Sequence, residues 1–595
     1  MGARRETLPR WDLSDLIDKN DPEAVDKIIR YTEKSVKEIE LFKNKISGNI
    51  SVRNFHKLVK FYDEYRMQAS KLLQYASMKF DENMSDKGSF EFFQKIDRNL
   101  TDFGNRLIFL RLWWKNIDED NFKRLMSKLT GDHKHEYRCM HFEDILPETE
   151  EKIINTKDLS GLYGLSQLYG VLVSELTFMI KVRGKNKILS AEEIYQYRFS
   201  SNSTLRKNAY DEEVKKFEEK NLSISFIYQS IINDRVAEDI KIRGYKKTRL
   251  YGDSYNNIQD SMVEAMISEI RKNASVFQRY FILKAKALGK KKLLRCDIYA
   301  PLPKTKTVRY FSFKEASKFI LDTFYSFYQE FGDAAKAIFD SRHIDARIFS
   351  GKVLGAYCAP VVPKLPSWIT IQFNNDIESL KNLAHEAGHG AQFGLSESRS
   401  IGTYEPTIFI GEISSTFAET LVLNRLYKEA QDVATKIFIL GIMLDNTHAS
   451  LIRQGYLAAF ENEAVKLAER NSITTEAMDN INLSLCREQF GSSVYVPDRF
   501  KKDWTTVPHL FQMPFYVYSY AVNEEIKLVL FDKYKKRGAS FAPKIIKLFS
   551  AANSVYPMQA LARAEVNINN PKFSQKVFNI IKKMVDEYET LLSQR

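Results

Sequence analysis

Residues 383–394 read Leu-Ala-His-Glu-Ala-Gly-His-Gly-Ala-Gln-Phe-Gly and decide the fold. Asp376 can cap a helix that begins just before them, and the last glycine suits the end of that helix. His385 and His389 are four residues apart, about 40° around the helix axis, so both imidazoles can reach one metal ion from adjacent turns. Glu386 can then reach a water on that metal without binding the metal itself. The stretch predicts a zinc-binding helix.

A catalytic zinc site needs a third protein ligand and one open position. Gln392 and Leu395 stand where the extended metzincin motif has its glycine and third histidine, which excludes that class. A carboxylate from a following helix is the usual alternative. Glu412 and Glu419 lie downstream, seven residues apart, and so share a helix face. One of them can bind zinc while the other orients a ligand histidine, and their spacing leaves open which is which.

Most of the remaining chain carries the periodicity of amphipathic helices. The clearest helical segments are residues 21–45, 211–220, 258–288 and 573–592. Residues 355–373 are the main exception, because they combine prolines with β-branched and aromatic residues. Ile369, Ile371 and Phe373 would share one face of a strand there. We predict a mainly α, multi-helix protein with a small β-sheet beside the metal-binding helix.

The chain has 595 residues, and the usual domain size of roughly 100 to 200 residues predicts about three or four structural units. The sequence shows neither a repeat of fixed period nor a low-complexity linker. The polar run Ser-Ser-Asn-Ser-Thr at residues 200–204 predicts a loop before a new helical pattern. We divide the chain there into an N-terminal helical domain, residues 1–199, and a mostly helical catalytic domain, residues 200–595.

The composition of the chain indicates which binding partners and which cell compartment to expect. The net charge of +13 is scattered in short runs such as residues 290–292 and 535–537, which favours solvated faces over a nucleic-acid surface. The four cysteines include no CxxC pair and predict reduced thiols. Neither a signal-peptide pattern nor a run of about 18 uncharged apolar residues occurs. We expect a cytoplasmic protein without nucleic-acid or membrane partners.

The motif at residues 385–389, followed by Gly-Glu-Ile-Ser-Ser-Thr-Phe-Ala-Glu at residues 411–419, resembles the M3 family of metallopeptidases, and closely its oligoendopeptidase F branch. The resemblance runs nearly end to end. Further matching blocks are residues 11–16, 206–210, 297–302, 355–358 and 460–461. The resemblance implies one zinc ion per chain held by His385, His389 and Glu412, with Glu386 as general base and acid. Glu419 is then the residue that orients a ligand histidine.

The same resemblance implies where the substrate and the developing oxyanion are held. It singles out His509 and the tyrosine-rich residues 515–520, a stretch that would otherwise indicate buried aromatic core. Tyr516 and Tyr520 would share a helix face while Tyr518 points elsewhere. His509 and Tyr516 are therefore the further catalytic candidates, and Tyr520 is a substrate-binding candidate. The other predicted substrate-binding residues are Gly355, Ala356 and Tyr357.

The sequence and the resemblance together predict a zinc-dependent endopeptidase. The resemblance alone implies a helical shell around a deep groove or cavity, which would admit short, unstructured peptides and exclude folded proteins. The peptide would bind extended, along the edge of the strand at residues 367–373. A zinc carboxypeptidase of the same fold is the first alternative, because the metal motif does not decide where a peptide is cut. A catalytically silent helical binding protein is the second, and the presence of Glu386 disfavours it.

One departure from the family pattern lies near the C-terminus. The oligoendopeptidase F branch usually has a glycine pair before a serine and then an Ala-Gly-Val-Asp block. Residues 551–554 are Ala-Ala-Asn-Ser here, and residues 564–567 are Ala-Glu-Val-Asn. The missing glycines reduce backbone freedom in a segment expected to border the substrate groove. Substrate preference is the property that this departure would change.

Overall fold

The computed structural model describes residues 7–21, 23–248, 257–302, 310–349, 351–353 and 355–595. Helices make up most of this part of the chain, and short strands lie between them. The predicted mainly α fold is thereby confirmed, with several small sheets where one was predicted. None of the described helices combines the length and the apolar character needed to cross a lipid bilayer.

The N-terminal part of the chain is built from amphipathic helices of the kind that its periodicity predicts. The predicted segment 21–45 contains a helix that buries Val36 and Ile39. The helices of this part are α1 (Ala24–Glu40), α2 (Val52–Glu82), α3 (Lys87–Lys115), α4 (Glu119–Met126), α5 (Gly131–His141), α6 (Glu148–Asp158) and α7 (Leu162–Ser174). An antiparallel hairpin of β1 (Phe178–Val182) and β2 (Lys185–Leu189) follows.

Helices also dominate the middle of the chain. The predicted segment 258–288 forms two helices rather than one, because the chain turns at Asn273 and Ala274. The helices of this part are α8 (Ala191–Gln196), α9 (Ser203–Glu219), α10 (Asn221–Val236), α11 (Asp260–Lys272), α12 (Ser275–Ala287), α13 (Phe313–Phe327) and α14 (Gln329–Asp340). A π-helical segment, Ala237–Ile242, continues α10.

The C-terminal part contains the predicted metal-binding helix and the helices around it. These are α15 (Ile377–Leu395), α16 (Ile413–Glu429), α17 (Val433–Thr447), α18 (Gln454–Glu469), α19 (Thr475–Phe490), α20 (His509–Gln512), α21 (Tyr518–Arg537), α22 (Ala542–Phe549), α23 (Pro557–Arg563) and α24 (Phe573–Ser593). A π-helical segment, His448–Arg453, joins α17 to α18.

Five further strands form two small sheets in the described residues. They are β3 (Leu293–Leu294), β4 (Ile344–Asp345), β5 (Tyr357–Ala359), β6 (Trp368–Thr370) and β7 (Val494–Tyr495). β3 pairs in parallel with β7, and the other sheet has the order β4-β6-β5. In that sheet β6 runs parallel to β4 and antiparallel to β5. β6 is therefore the central strand, and β5 is an outer strand.

The position of β6 corrects the prediction that a peptide pairs with the edge of residues 367–373. The N–H of Ile369 donates to the carbonyl of His343 (2.8 Å), and the N–H of Ile371 donates to the carbonyl of Asp345 (2.9 Å). β5 covers the opposite edge. Because both edges of β6 are paired, a peptide could extend this sheet only at an outer strand, β4 or β5.

Buried apolar side chains group into one large cluster and several smaller ones in the described chain. The large cluster contains residues from Tyr169 to Leu591 and includes the buried face of α15. A smaller cluster joins helices α2 and α3 to Val361 and to Trp368 of β6. The sheet therefore packs against the N-terminal helices. The division of the chain at residue 200 stays a prediction.

Helix α15 is fixed at its start and along one side. Asp376 caps it, as predicted, by accepting a hydrogen bond from the N–H of Ser379 (2.8 Å). Gly388 faces α16 so closely that a Cβ atom there would lie 2.8 Å from Cα of Ser415 and 2.6 Å from Cβ of Ala418. The absent side chain lets the two helices approach each other at the level of the HExxH motif.

Candidate metal centre

Three potential metal ligands converge between α15 and α16. Nε2 of His385 lies 3.3 Å from Oε2 of Glu412, and Nε2 of His389 lies 3.2 Å from the same oxygen. One ligand atom from each residue lies within 4.8 Å of the other two. Two imidazole nitrogens and one carboxylate oxygen form a donor set that suits a catalytic zinc ion. The residues present therefore fit the predicted metal.

Glu412 is anionic and held in place. It stands at the N-terminal boundary of α16, and the hydroxyl of Ser415 donates to its Oε2 at 3.0 Å. Burial opposes ionisation, but the charge of His389 and hydrogen bonds from both histidines outweigh it and hold the pKa of Glu412 well below its usual value. Sequence reasoning gave no role to Ser415. A serine three residues after a candidate ligand, in the first turn of a helix, could have predicted this hydrogen bond.

Glu419 lies behind His385. Its Oε1 is 2.6 Å from Nδ1 of His385, and because a carboxylate can only accept, Nδ1 carries the proton. Nε2 is the nitrogen that faces Glu412 and, once it has lost its own proton, the nitrogen that can offer a lone pair to a metal. Burial opposes ionisation of Glu419, but the hydrogen bond from His385 and the charges of His385 and Lys381 outweigh it and lower its pKa. The structure thus brings Glu419 to the outer nitrogen of the histidine, and Glu412 to the inner nitrogens.

Glu386 follows the ligand candidate His385 in the chain but is not part of the group of potential ligands. Its side chain is buried, and burial raises its pKa, against the opposing charges of His385 and His389. Burial and the charge of Glu386 raise the pKa of the Cys358 thiol on β5. A Cβ atom at Gly390, one turn after Glu386 on the same helix face, would lie 3.5 Å from Sγ of Cys358. The outer strand therefore lies on the same side of α15 as the candidate general base. A buried carboxyl with a raised pKa is suited to accept and release a proton.

The tyrosine-rich segment contributes two rings to the site. The hydroxyl of Tyr516 donates to Oε1 of Glu412 at 3.4 Å. The ring of Tyr520 lies 5.1 Å from that of Tyr516 and 5.8 Å from that of His509. Tyr518 is buried beside Phe409 on another side. The rings of Tyr516 and Tyr520 are neighbours, but not through the predicted shared helix face, because α21 begins only at Tyr518 and Tyr516 lies in the preceding turn.

Protonation states suit this group as hydrogen-bond donors. Burial and the charge of Glu412 raise the pKa of Tyr516, and burial and the neighbouring Tyr516 raise the pKa of Tyr520. Both hydroxyls stay protonated at neutral pH. Burial and the nearby charge of Arg453 lower the pKa of His509. The imidazole of His509 is therefore neutral at pH 7.

The predicted substrate-binding block 355–357 leads into the outer strand. Gly355 has a φ of +76°, which a glycine adopts without strain, and β5 begins at Tyr357. The hydroxyl of Tyr357 donates to Oδ2 of Asp81 in α2 at 2.7 Å. Its side chain is thus engaged with the N-terminal helices, which leaves the backbone of this block as the part available to a peptide. Substrate contact stays a prediction.

A second group of acidic and histidine side chains, on α2 and α5, has a different character. Asp63, His133 and Glu136 also bring potential ligand atoms within 4.8 Å of one another. The guanidinium of Arg66, however, pairs with both Asp63 and Glu136. A permanent cation therefore occupies the place of a metal. This group is an ion-pair network between the two helices.

A family model described as peptidase family M3 matches residues 196–580. The chain belongs to peptidase family M3. Oligopeptidase PepF of Bacillus subtilis is 24% identical over 98% of this chain and 87% of its own. The chromosomal oligoendopeptidase F of Lactococcus lactis subsp. cremoris is 23% identical over 100% of this chain and 99% of its own. The predicted resemblance is confirmed, and this M3 peptidase is a metalloendopeptidase of the oligoendopeptidase F type.

A solved structure agrees with this assignment at the level of the fold. Oligoendopeptidase-F from Enterococcus faecium superimposes on the M3 peptidase with a TM-score of 0.73 and 18% identity, over 96% of this chain and 100% of that one. Nearly the whole chain therefore has the architecture of that structure, the N-terminal helices as well as the matched residues 196–580.

Two residues near the C-terminus of the M3 peptidase have a positive φ, the conformation that glycine favours, although neither is a glycine. Ala552 has a φ of +44° and Glu565 a φ of +56°, and these residues stand where the resemblance predicts glycine. The left-handed region is unfavourable for residues with a Cβ atom. The N–H of Asn553 donates to the carbonyl of Thr403 (3.0 Å), in the loop between α15 and α16. The substituted segment thus contacts the connection between the two helices of the metal centre.

Proposed function

We propose that this M3 peptidase uses one zinc ion to hydrolyse internal peptide bonds of short, unstructured peptides. The observation that carries the proposal is the convergence of His385, His389 and Glu412 on one point, with Glu386 beside them. The names of the relatives, oligopeptidase and oligoendopeptidase, support the size of the substrate and the internal position of the cut.

Glu386 is the general base and acid of the proposed reaction. A zinc ion held by His385, His389 and Glu412 would supply Lewis acidity toward the attacking water and the peptide carbonyl. Glu386 takes the proton from that water and then gives it to the amine that leaves. The burial that raises the pKa of Glu386 suits a group that must hold the proton between these two steps.

Tyr516 is the proposed donor to the oxyanion that develops on the peptide carbonyl. Its hydroxyl now donates to Glu412 across 3.4 Å, which is long for an O–H···O hydrogen bond, so little is lost when the hydroxyl turns to a better acceptor. Tyr520 and neutral His509 form the adjoining wall, where they can hold the substrate. A preorganised donor of this kind typically contributes about a hundredfold or more to turnover.

The outer edge of β5 is the proposed binding site for the peptide backbone. An extended peptide that adds there as a further strand makes main-chain hydrogen bonds, whatever its side chains are. The short distance of 3.5 Å from Sγ of Cys358 to a Cβ atom at Gly390, one helical turn from Glu386, supports the closeness of this strand to the catalytic base. We therefore expect broad tolerance of substrate sequence. The deep groove and the cytoplasmic location stay predictions.

The experiment compares the purified protein with its Glu386→Gln variant on an internally quenched peptide of about ten residues, with bound metal measured by elemental analysis. Mass spectrometry locates the cut. Internal cleavage by the wild type, lost in a variant that keeps one zinc per chain, supports the proposal. Cleavage of one C-terminal residue at a time favours the carboxypeptidase alternative. Stoichiometric zinc without cleavage of varied peptides favours the silent binding protein.

A further inference from the structure

The residue before Tyr516 has an unusual backbone. Phe515 has a φ of +63°, a left-handed conformation that is rare for a bulky residue and unfavourable in isolation. The side chain of Phe515 is buried, although the residue lies in the turn that precedes α21. A strained turn of this kind persists only when contacts around it hold it.

Glu461 supplies such a contact from α18. Its side chain is fully buried at 0% exposure, and its Oε1 accepts a hydrogen bond from the N–H of Phe515 at 2.7 Å. In the part of the chain that the structure describes, its Oε2 has no hydrogen-bond partner. Burial raises the pKa of Glu461 to about 8, so the group is a neutral acceptor at pH 7.

The backbone-to-backbone hydrogen bonds of this turn are local in the described chain. The N–H of Tyr516 donates to the carbonyl of Met513 (3.2 Å), and the carbonyl of Tyr516 accepts from the N–H of Ser519 (2.9 Å). The bond from Phe515 reaches 54 residues back along the chain. Glu461 therefore ties the turn to a neighbouring helix, whereas the local bonds define only its internal shape.

Stability alone does not account for a carboxyl group at this position. A buried polar oxygen without a partner is unfavourable, and the carboxyl group carries that cost while it supplies the acceptor for the N–H of Phe515. Among the described residues, the hydrogen bond that Glu461 makes goes to the residue next to Tyr516. A cost in stability beside a catalytic candidate is typical of groups kept for function.

We propose that Glu461 is a positioning residue for Tyr516. Its bond to the N–H of Phe515 holds the left-handed turn, and the turn directs the hydroxyl of Tyr516 toward Glu412 and the peptide carbonyl. Glu461 contacts neither the metal nor the substrate in this role. The inference rests on the proposed function of Tyr516 as an oxyanion donor.

The first test compares Glu461→Gln with Glu461→Leu on the internally quenched peptide. Gln keeps an oxygen acceptor for the N–H of Phe515, so kcat should stay within about threefold of the wild-type value. Leu removes the acceptor, and the displaced tyrosine should lower kcat by about tenfold or more, with zinc content and KM nearly unchanged. Equal kcat values for the two variants would overturn the proposal.

The matched control is Glu525→Leu. Glu525, on α21, is also a buried glutamate whose pKa is raised to about 8, by burial, and it also has an oxygen without a partner among the described residues. Its replacement should change thermal stability but leave kcat at the wild-type value. A loss of kcat in Glu525→Leu equal to that in Glu461→Leu would mean that any buried substitution has this effect, and would overturn the specific role of Glu461.

A double-mutant cycle with Tyr516→Phe separates this inference from the proposed function. If Glu461 acts through Tyr516, adding Glu461→Leu to Tyr516→Phe should lower kcat no further. Losses that multiply would overturn the role of Glu461 and leave the role of Tyr516 standing. Wild-type kcat in Tyr516→Phe would overturn both roles, while the loss of activity in Glu386→Gln would still support the zinc peptidase.

Discussion

Nδ1 of His385 and Oε1 of Glu419 are 2.6 Å apart, which joins the HExxH helix α15 to the middle of α16. The bond fixes the tautomer of His385 and the orientation of its ring. The carboxylate of Glu419 thus orients a ligand histidine without itself being a candidate metal ligand. Each of the residues that shape this centre can be tested by a single substitution.

Glu419→Gln should weaken zinc binding by about 10- to 100-fold, because an amide holds the imidazole less firmly and makes it less basic. Competition with a metal chelator of known affinity measures the change. Glu429→Gln is the control on the same helix, since its partly exposed side chain bonds to Arg425 at the far end of α16. Equal zinc affinities for the two variants would contradict the orienting role of Glu419.

Gly388→Ala should destabilise the protein by about 1 to 3 kcal/mol, because the new Cβ atom would overpack the contact with α16. The added Cβ atom would lie 2.8 Å from Cα of Ser415, so α15 and α16 must move apart. Gly104→Ala in α3 is the control, since among the described residues no atom outside the nearby backbone of α3 would lie within 4 Å of the added Cβ. That variant should gain up to about 1 kcal/mol from helix propensity. Calorimetry compares the two, and a stabilised Gly388→Ala would refute the close-approach argument.

Glu525 should make stability fall as pH rises. Burial raises its pKa from 4.5 to about 8, so below pH 4.5 both the folded and unfolded states are protonated and the group has no effect. Between these values the unfolded chain loses the proton first, and the free energy of unfolding decreases by roughly 1.4 kcal/mol per pH unit. Glu525→Gln should remove this part of the slope. Parallel unfolding profiles of the two proteins from pH 5 to pH 8 would contradict it.

Ala552→Gly should stabilise the protein by about 1 kcal/mol, because glycine adopts a positive φ without the strain that a Cβ atom causes. The adjacent Ala551 is equally buried, at 0% exposure, and does not have a positive φ. Ala551→Gly is therefore expected to destabilise by a similar amount. Thermal unfolding distinguishes the two, and a loss of stability in both variants would show that the methyl group of Ala552 contributes more than its backbone costs.

The metal centre could be predicted because its chemistry is local in the sequence. His385, Glu386 and His389 follow one another on a single helix, and helical geometry alone brings the two imidazoles together. Spacing could not decide between Glu412 and Glu419, since both share one face. The choice depends on how α16 is set against α15, and the close approach at Gly388 determines that distance.

The tyrosine turn and the sheet could be predicted only in part. The positive φ of Phe515 and its bond to Glu461 depend on contact between residues 54 positions apart, which no local pattern contains. The central position of β6 arises from β4, a strand of two residues. So short a strand has no alternating pattern to detect. The part of the site that depends on long-range packing therefore required the structure.

The pairing of β3 with β7 has a consequence for folding during synthesis on the ribosome. Leu293 pairs with Val494, and both are buried. At a synthesis rate of about 5 to 20 residues per second, roughly 10 to 40 s pass between the appearance of the two strands. For that interval the apolar side chain of Leu293 has no native partner strand. The nascent chain therefore stays partly folded until β7, in the last fifth of the polypeptide, emerges and pairs with β3. Chaperones can bind the chain during this interval.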